Sequence, residues 1–181
     1  MTMPRGCRFA RVLVLSLLVA SVMARALAEP SKKKPAGLPN FHQVTASIYR
    51  GGAPTQEGLK TLRALKIHTI IDLRIEHNLA QAEKKTAEGM GFTWLNIPMG
   101  KQAPTQQQVD TFLATLARAP KAPVFVHCQH GADRTGCMIG IYRVQVQGWS
   151  FTQAWAEMRA YGFKPYLSEL KEAVRSRAKA T

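Results

Sequence analysis

The sequence predicts an α/β domain with a mainly parallel central sheet flanked by helices on both faces. Three observations carry that prediction. Short runs at residues 67–73 and 124–126, β-branched and without a regular polar alternation, read as strands buried on both faces. Segments with apolar residues at helical spacing separate them, so strand and helix alternate along the chain, and no internal repeat interrupts the alternation. The length of 181 residues, 46% hydrophobic and 20% charged, suits one domain with its own core.

The chain opens with Arg5, Arg8 and Arg11, an apolar run over residues 12–23, and the small-residue site Ala26-Leu27-Ala28. This order is that of a secretory signal peptide over residues 1–28, which implies an exported, periplasmic protein. The apolar run is short of the roughly 18 residues that a membrane span needs, so anchoring by an uncleaved leader is the alternative and the one route to a membrane. Cleavage after Ala28 removes four arginines and leaves 21 basic against 11 acidic residues, a charge of +10. That balance excludes an acidic solvating tail and favours anionic partners. Cys7 departs with the leader, and the remaining Cys128 and Cys137 are too few for a disulfide scaffold.

Residues 29–40 (EPSKKKPAGLPN) combine prolines, lysines and few large apolar side chains, the composition of a basic, Pro-rich linker, which leaves residues 41–181 as the folded domain. Phe41, Val44, Ile48 and Tyr49 suggest a first strand ended by Gly51-Gly52. Thr55 is placed to cap a helix over residues 56–66 striped by Leu59, Leu62 and Leu65, followed by the strand 67–73. A weaker helix spans 78–88, and a strand over 92–97 stops at Pro98. Thr105 and Gln108 form a capping box ahead of Val109, Phe112, Leu113, Leu116 and Ala117 at helical spacing. The strand 124–126 leads into a loop and a long helix over 135–147. A second capping box, Ser150 with Gln153, starts a helix to Tyr161, and Leu167, Leu170 and Val174 stripe a last one beginning near Tyr166.

The chemistry concentrates in His127-Cys128-Gln129-His130-Gly131-Ala132-Asp133-Arg134-Thr135-Gly136. This stretch follows a buried strand and opens a helix. Its backbone N–H groups can therefore curl around one tetrahedral anion, with the helix dipole added. The same field pushes Cys128 toward the nucleophilic thiolate. Arg134 brings a planar fork for two phosphoryl oxygens. Gly131 allows a tight turn, and the Thr135 hydroxyl can hydrogen-bond the sulfur. His127 reads as a structural donor that orients the loop, and His130 as a rim residue. His127, Cys128 and His130 lack the further ligands of a metal site, so no metal is expected. Cys137 reads as a buried helix residue, with a redox partnership to Cys128 as the alternative. Arg74 and Glu76 follow a strand's carboxyl end and read either as a surface ion pair or as part of the pocket rim.

This His-Cys-x5-Arg-Thr-Gly signature resembles the cysteine-dependent tyrosine and dual-specificity phosphatase superfamily, and within it an exported bacterial group. The similarity runs over residues 49–163, including Tyr49-Arg50-Gly51-Gly52 and Gly148-Trp149. It implies a protein tyrosine phosphatase-like fold of the dual-specificity type. It also implies attack by Cys128 on phosphorus, a phosphocysteine intermediate, and hydrolysis without cofactor or metal. The substrate-holding positions would be Gln129, His130, Gly131, Ala132, Asp133 and Arg134. Family members usually carry a general-acid aspartate in the stretch matching residues 96–104, and here that stretch (NIPMGKQAP) has no carboxylate. Asp133 is the first candidate for the acid and Asp72 the second. The loop lacks the extra lysines of related lipid phosphatases, which favours a phosphorylated protein as substrate. An inositol phosphate or phosphoinositide, an RNA 5′-phosphate, or a phosphate-binding pseudophosphatase are the alternatives. Export argues against RNA, and no nucleic-acid partner is expected.

Overall fold

The computed structural model describes residues 35–179. The leader over residues 1–28 and the linker up to residue 34 lie outside the described residues. Five strands, β1 (His42–Gln43), β2 (Ile48–Gly52), β3 (Thr69–Arg74), β4 (Thr93–Met99) and β5 (Val124–Cys128), form one sheet in the order β1-β2-β5-β3-β4. All neighbouring pairs are parallel except β1 with β2. Among the described residues six helices follow: α1 (Gln56–Ala64), α2 (His77–Gly89), α3 (Gln106–Leu116), α4 (Asp133–Gln145), α5 (Phe151–Ala160) and α6 (Ser168–Arg175).

The two faces of the sheet carry separate cores. Leu59 and Leu62 of α1 and Ala87 of α2 pack with Ile70 and Phe125 on one face. Residues of α3 to α6, among them Phe112, Met138, Met158 and Val174, pack with Ile71, Val124 and Val126 on the other. Consecutive residues of β5 thus serve opposite faces, which is why the run reads as continuously apolar. β5 lies between β2 and β3. The loop beyond its carboxyl end therefore opens where the connections from its neighbours diverge, the position at which open α/β sheets bind ligands.

Local chemistry moves several boundaries. The first strand is in fact a hairpin, because the Thr45 hydroxyl takes the N–H groups of Ser47 (3.3 Å) and Ile48 (3.1 Å) and turns the chain between β1 and β2. Gly51 and Gly52 sit inside β2 rather than ending it. A Cβ on Gly51 would lie 2.9 Å from the Phe125 ring, and one on Gly52 3.0 Å from the Gln129 carbonyl oxygen, so close approach is what requires them. β4 continues through Pro98, which an edge strand tolerates because one row of its N–H groups has no ladder partner. α1 stops at Ala64, with Lys66 at φ +59°, and this leaves Leu65 outside the buried stripe, 40% exposed. The part of the supposed linker that is described, from Pro35 onward, is packed: Leu38 is buried and the Pro39 carbonyl accepts from Gly52 N–H at 2.7 Å.

Candidate active site

Cys128 ends β5 and is buried. The loop turns above it through Gly131 at φ +72°, where a Cβ would come 2.3 Å from the Gly51 carbonyl carbon. Only glycine fits that approach, and it seats the loop against β2. Helices α1, α3 and α5 start with Thr55, Thr105 and Ser150 side chains accepting a first-turn N–H. α4 starts at Ala132 with no side-chain cap. Its first-turn N–H groups face the loop without a side-chain acceptor, the arrangement that receives an anion.

A cleft of about 300 Å³ opens beside the loop and includes Asp133 and Arg134 in its wall, with Ile75, Glu76, Lys101, Lys164 and Tyr166 around them. One Arg134 nitrogen, Nη1, donates to Glu76 at 3.1 Å and to the Met99 carbonyl at 3.2 Å. The fork is thereby aimed from one side, with its other nitrogens left to meet an anion. Burial alone would raise the Glu76 carboxyl, but the hydrogen bond and charge of Arg134 hold it below the ordinary carboxylate range. Asp133 Oδ1 accepts the Lys164 N–H at 2.8 Å. Gln129 and His130 are exposed and stand outside the wall of this cleft. Thr135 is fully buried, and its hydroxyl has no hydrogen-bond partner among the described residues; the contact to sulfur expected of it is not formed.

Behind the loop lies a buried charge network. His127 Nε2 meets Glu83 at 2.8 Å, and its Nδ1 meets the Cys128 carbonyl at 3.3 Å. Arg74 Nη2 bridges Asp72 (2.8 Å) and Glu83 (2.7 Å). Trp94 adds a third donor to Glu83 at 3.3 Å. Two sequence expectations change here. Asp72 is fully buried and both its oxygens accept from Arg74, so it cannot reach a leaving group. Arg74 and Glu76 form no pair with each other, since Arg74 turns inward and Glu76 turns to Arg134. Burial opposes the Arg74 charge, but the Asp72 hydrogen bond and the two carboxylates raise its pKa overall. Ligand atoms of Asp72, Glu83 and His127 lie within 4.8 Å of one another, a set that can hold a cation, but the Arg74 guanidinium already bridges the two carboxylates. Cys137 is a free, buried thiol that desolvation pushes up to about 12, so it stays protonated and inert.

Glu83 escaped the sequence reading although it left a signal, a glutamate in the inward stripe of α2 between Ala80 and Ala87. Asn40 left none. Its φ is +48°, and its Nδ2 donates to the Gly131 carbonyl at 3.1 Å and the Tyr161 carbonyl at 3.0 Å.

This geometry agrees with what the chain resembles. The family model described as DSP-PTPase phosphatase fused to NAD+ kinase matches residues 33–176. The chain belongs to the DSP-PTPase phosphatase family. It is 28% identical over 128 residues to the dual specificity protein phosphatase TpbA of Pseudomonas aeruginosa, covering 68% of this chain and 55% of TpbA. It is 30% identical over 130 residues to the inositol diphosphatase SIW14 of Saccharomyces cerevisiae, covering 68% of this chain and 46% of that protein. The chain thus spans about half the length of these two relatives. Among solved structures, the SIW14 core catalytic domain with citrate matches with a TM-score of 0.67 at 28% identity, over 76% of this chain and 85% of that one. TpbA with pTyr matches with a TM-score of 0.66 at 22% identity, over 83% of this chain and 91% of that one, a likeness of fold. The central sheet and flanking helices are those of this phosphatase fold.

Proposed function

We propose that the protein hydrolyses phosphotyrosine, and also phosphoserine and phosphothreonine, in protein substrates through a phosphocysteine on Cys128. The observation that carries this reading is the uncapped start of α4 above a strand-terminal cysteine, with Arg134 in the wall of the adjoining cleft. The Cys128 thiolate attacks phosphorus while loop N–H groups and Arg134 hold the equatorial oxygens as charge develops. The leaving oxygen departs as the S–P bond forms and takes a proton from Asp133, whose Oδ1 is fixed by the Lys164 N–H. Water then attacks the phosphocysteine with Asp133 as base. The sulfur leaves as the thiolate.

Ile75 and Tyr166, 59% and 72% exposed, supply an apolar wall that suits an aromatic leaving group. TpbA has been solved with pTyr, which supports the same choice. A second reading, an inositol diphosphate, is favoured by Lys101 and Lys164 beside Arg134 and by the names of SIW14 and its plant relatives. We also propose export to the periplasm, on the strength of the leader sequence.

The test is phosphate release by the full chain and its Cys128→Ser variant, under reducing conditions without added metal. Substrates are phosphotyrosine, phosphoserine and phosphothreonine peptides and an inositol diphosphate. Release that disappears with the sulfur and is fastest from the phosphotyrosine peptide supports the proposal. Faster release from the inositol diphosphate reassigns the substrate, and absence of Cys128-dependent release refutes the enzyme.

A further inference from the structure

β2 delivers Arg50 to the back of the loop, because Gly52 pairs with Cys128 in the parallel register and Arg50 with Val126. Its side chain is fully buried. One nitrogen, Nη2, donates to the Gly131 carbonyl at 2.9 Å, the same oxygen that Asn40 holds from the other side. Two donors thus satisfy this carbonyl and fix the loop at its turn. Nε and Nη1 have no hydrogen-bond partner, and Arg50 makes no ion pair among the described residues.

A buried cation without a carboxylate is unusual, since an unpaired charge in a protein interior is strongly disfavoured. The titratable groups facing Arg50 are Glu157 on α5, Tyr161 at its C-terminal cap, Arg143 on α4 and Cys128 on β5. Glu157 is committed to Arg143, whose Nε reaches it at 3.1 Å and whose Nη2 also pairs with it. Tyr161 offers its ring face, 4.8 Å from the guanidinium carbon, which attracts a cation without neutralising it. Cys128, which pairs with Gly52 two positions along the same strand register from Arg50, is the uncommitted acidic group of this set. Burial pushes Arg50 down to about 10, so it remains a cation at neutral pH.

We propose that Arg50 is a positioning residue whose buried charge is the counterion of the Cys128 thiolate, acting from behind the loop while Arg134 acts from the cleft. The thiol loses its proton to solvent, and the resulting thiolate balances the Arg50 guanidinium across the loop. This rests on Cys128 being the nucleophile, as proposed above. A test without substrate keeps the two readings apart.

The test is the pH dependence of iodoacetamide alkylation at Cys128, read by mass spectrometry on the full chain, with Arg50→Gln and Arg50→Lys. Glutamine keeps an N–H for the Gly131 carbonyl and removes the charge; lysine keeps the charge and removes the fork. The alkylation midpoint should rise by about 1 pH unit or more in Arg50→Gln, the shift expected for losing a nearby opposite charge. It should move by less than about half a unit in Arg50→Lys. A smaller rise in the glutamine variant, or equal rises in both, overturns the proposal and leaves Arg50 a purely structural support. Should Arg50→Gln not fold, Arg50→Met decides: a midpoint raised by about 1 pH unit or more supports the counterion role and a smaller rise refutes it.

Discussion

Replacing Glu83 by glutamine tests whether the buried network behind the loop holds both the fold and the catalyst. Glu83 receives three donors, from Arg74 at 2.7 Å, His127 at 2.8 Å and Trp94 at 3.3 Å. A glutamine has one oxygen to offer. With that oxygen toward His127 and Trp94, its amide meets Arg74 donor to donor; with the amide reversed, Trp94 loses its acceptor. Either way one buried donor is unmatched and the charge assistance to Arg74 is gone. Hydrogen bonds to charged groups contribute about 1.5–3 kcal/mol each, so the variant should lose about that much stability. For a domain of this size each 1 kcal/mol lowers the melting temperature by roughly 2–4 °C, which predicts a drop of roughly 3–12 °C. His127 also loses the acceptor that fixes its ring beside the Cys128 carbonyl. A loop displaced by a fraction of an ångström should reduce kcat/KM by about tenfold or more. Calorimetry and steady-state hydrolysis read the two effects together. A variant that melts within about 1 °C of wild type and keeps its kcat/KM would refute the coupling.

Asp133→Asn should slow hydrolysis of a phenyl phosphate with a poor leaving group by on the order of 100-fold, and slow an activated ester far less; equal slowing of both would dismiss Asp133 as the acid. Glu76→Gln should cost less than about 1 kcal/mol at neutral pH, because the Glu76 side chain is nearly half-exposed and water screens the pair. Its sign with pH is fixed. The Glu76 carboxyl is lowered in the folded protein, so its stabilisation is complete above the ordinary value of 4.5 and disappears as pH falls through the lowered one. Urea denaturation of both proteins should therefore converge in acid, and a difference that grows there would contradict the pair. Gly131→Ala places a Cβ 2.3 Å from the Gly51 backbone at φ +72°. The left-handed conformation and the overpacking together should cost about 2–5 kcal/mol in chemical denaturation, and a loss under about 1 kcal/mol would show that β2 yields.

The elements legible in the sequence are those whose signals are local. The capping boxes at Thr105 and Ser150 form as their spacing requires, with both reciprocal hydrogen bonds in place. The loop is legible because an anion cradle needs its cysteine, glycine and arginine at fixed separations along one short stretch of chain. The rest depends on contacts distant in sequence. Arg50 and Asn40 meet the loop 81 and 91 residues away, and neither carries a local mark of burial. Pro98 ends a strand only where both neighbours require hydrogen bonds, and sequence does not say which strand lies at an edge. Residues 35–40 resemble a linker in composition, yet Leu38 belongs to the core under α1.

The cations around the loop divide into two classes, and the division explains how a basic chain focuses its charge. Arg74 is matched by Asp72 and Glu83, and Arg143 by Glu157, all of them buried or nearly so. These pairs fix geometry and leave neither arginine a free positive charge. Arg134 is met on one nitrogen by a glutamate whose side chain is 45% exposed and therefore well screened by water. Arg50 is met by no carboxylate at all. Among these arginines the uncompensated charge thus lies on the two that flank the loop, and Lys101 and Lys164 add to it in the cleft wall. In the mechanism proposed above, a phosphoryl group bound over a thiolate is the arrangement of negative charge that these cations would balance.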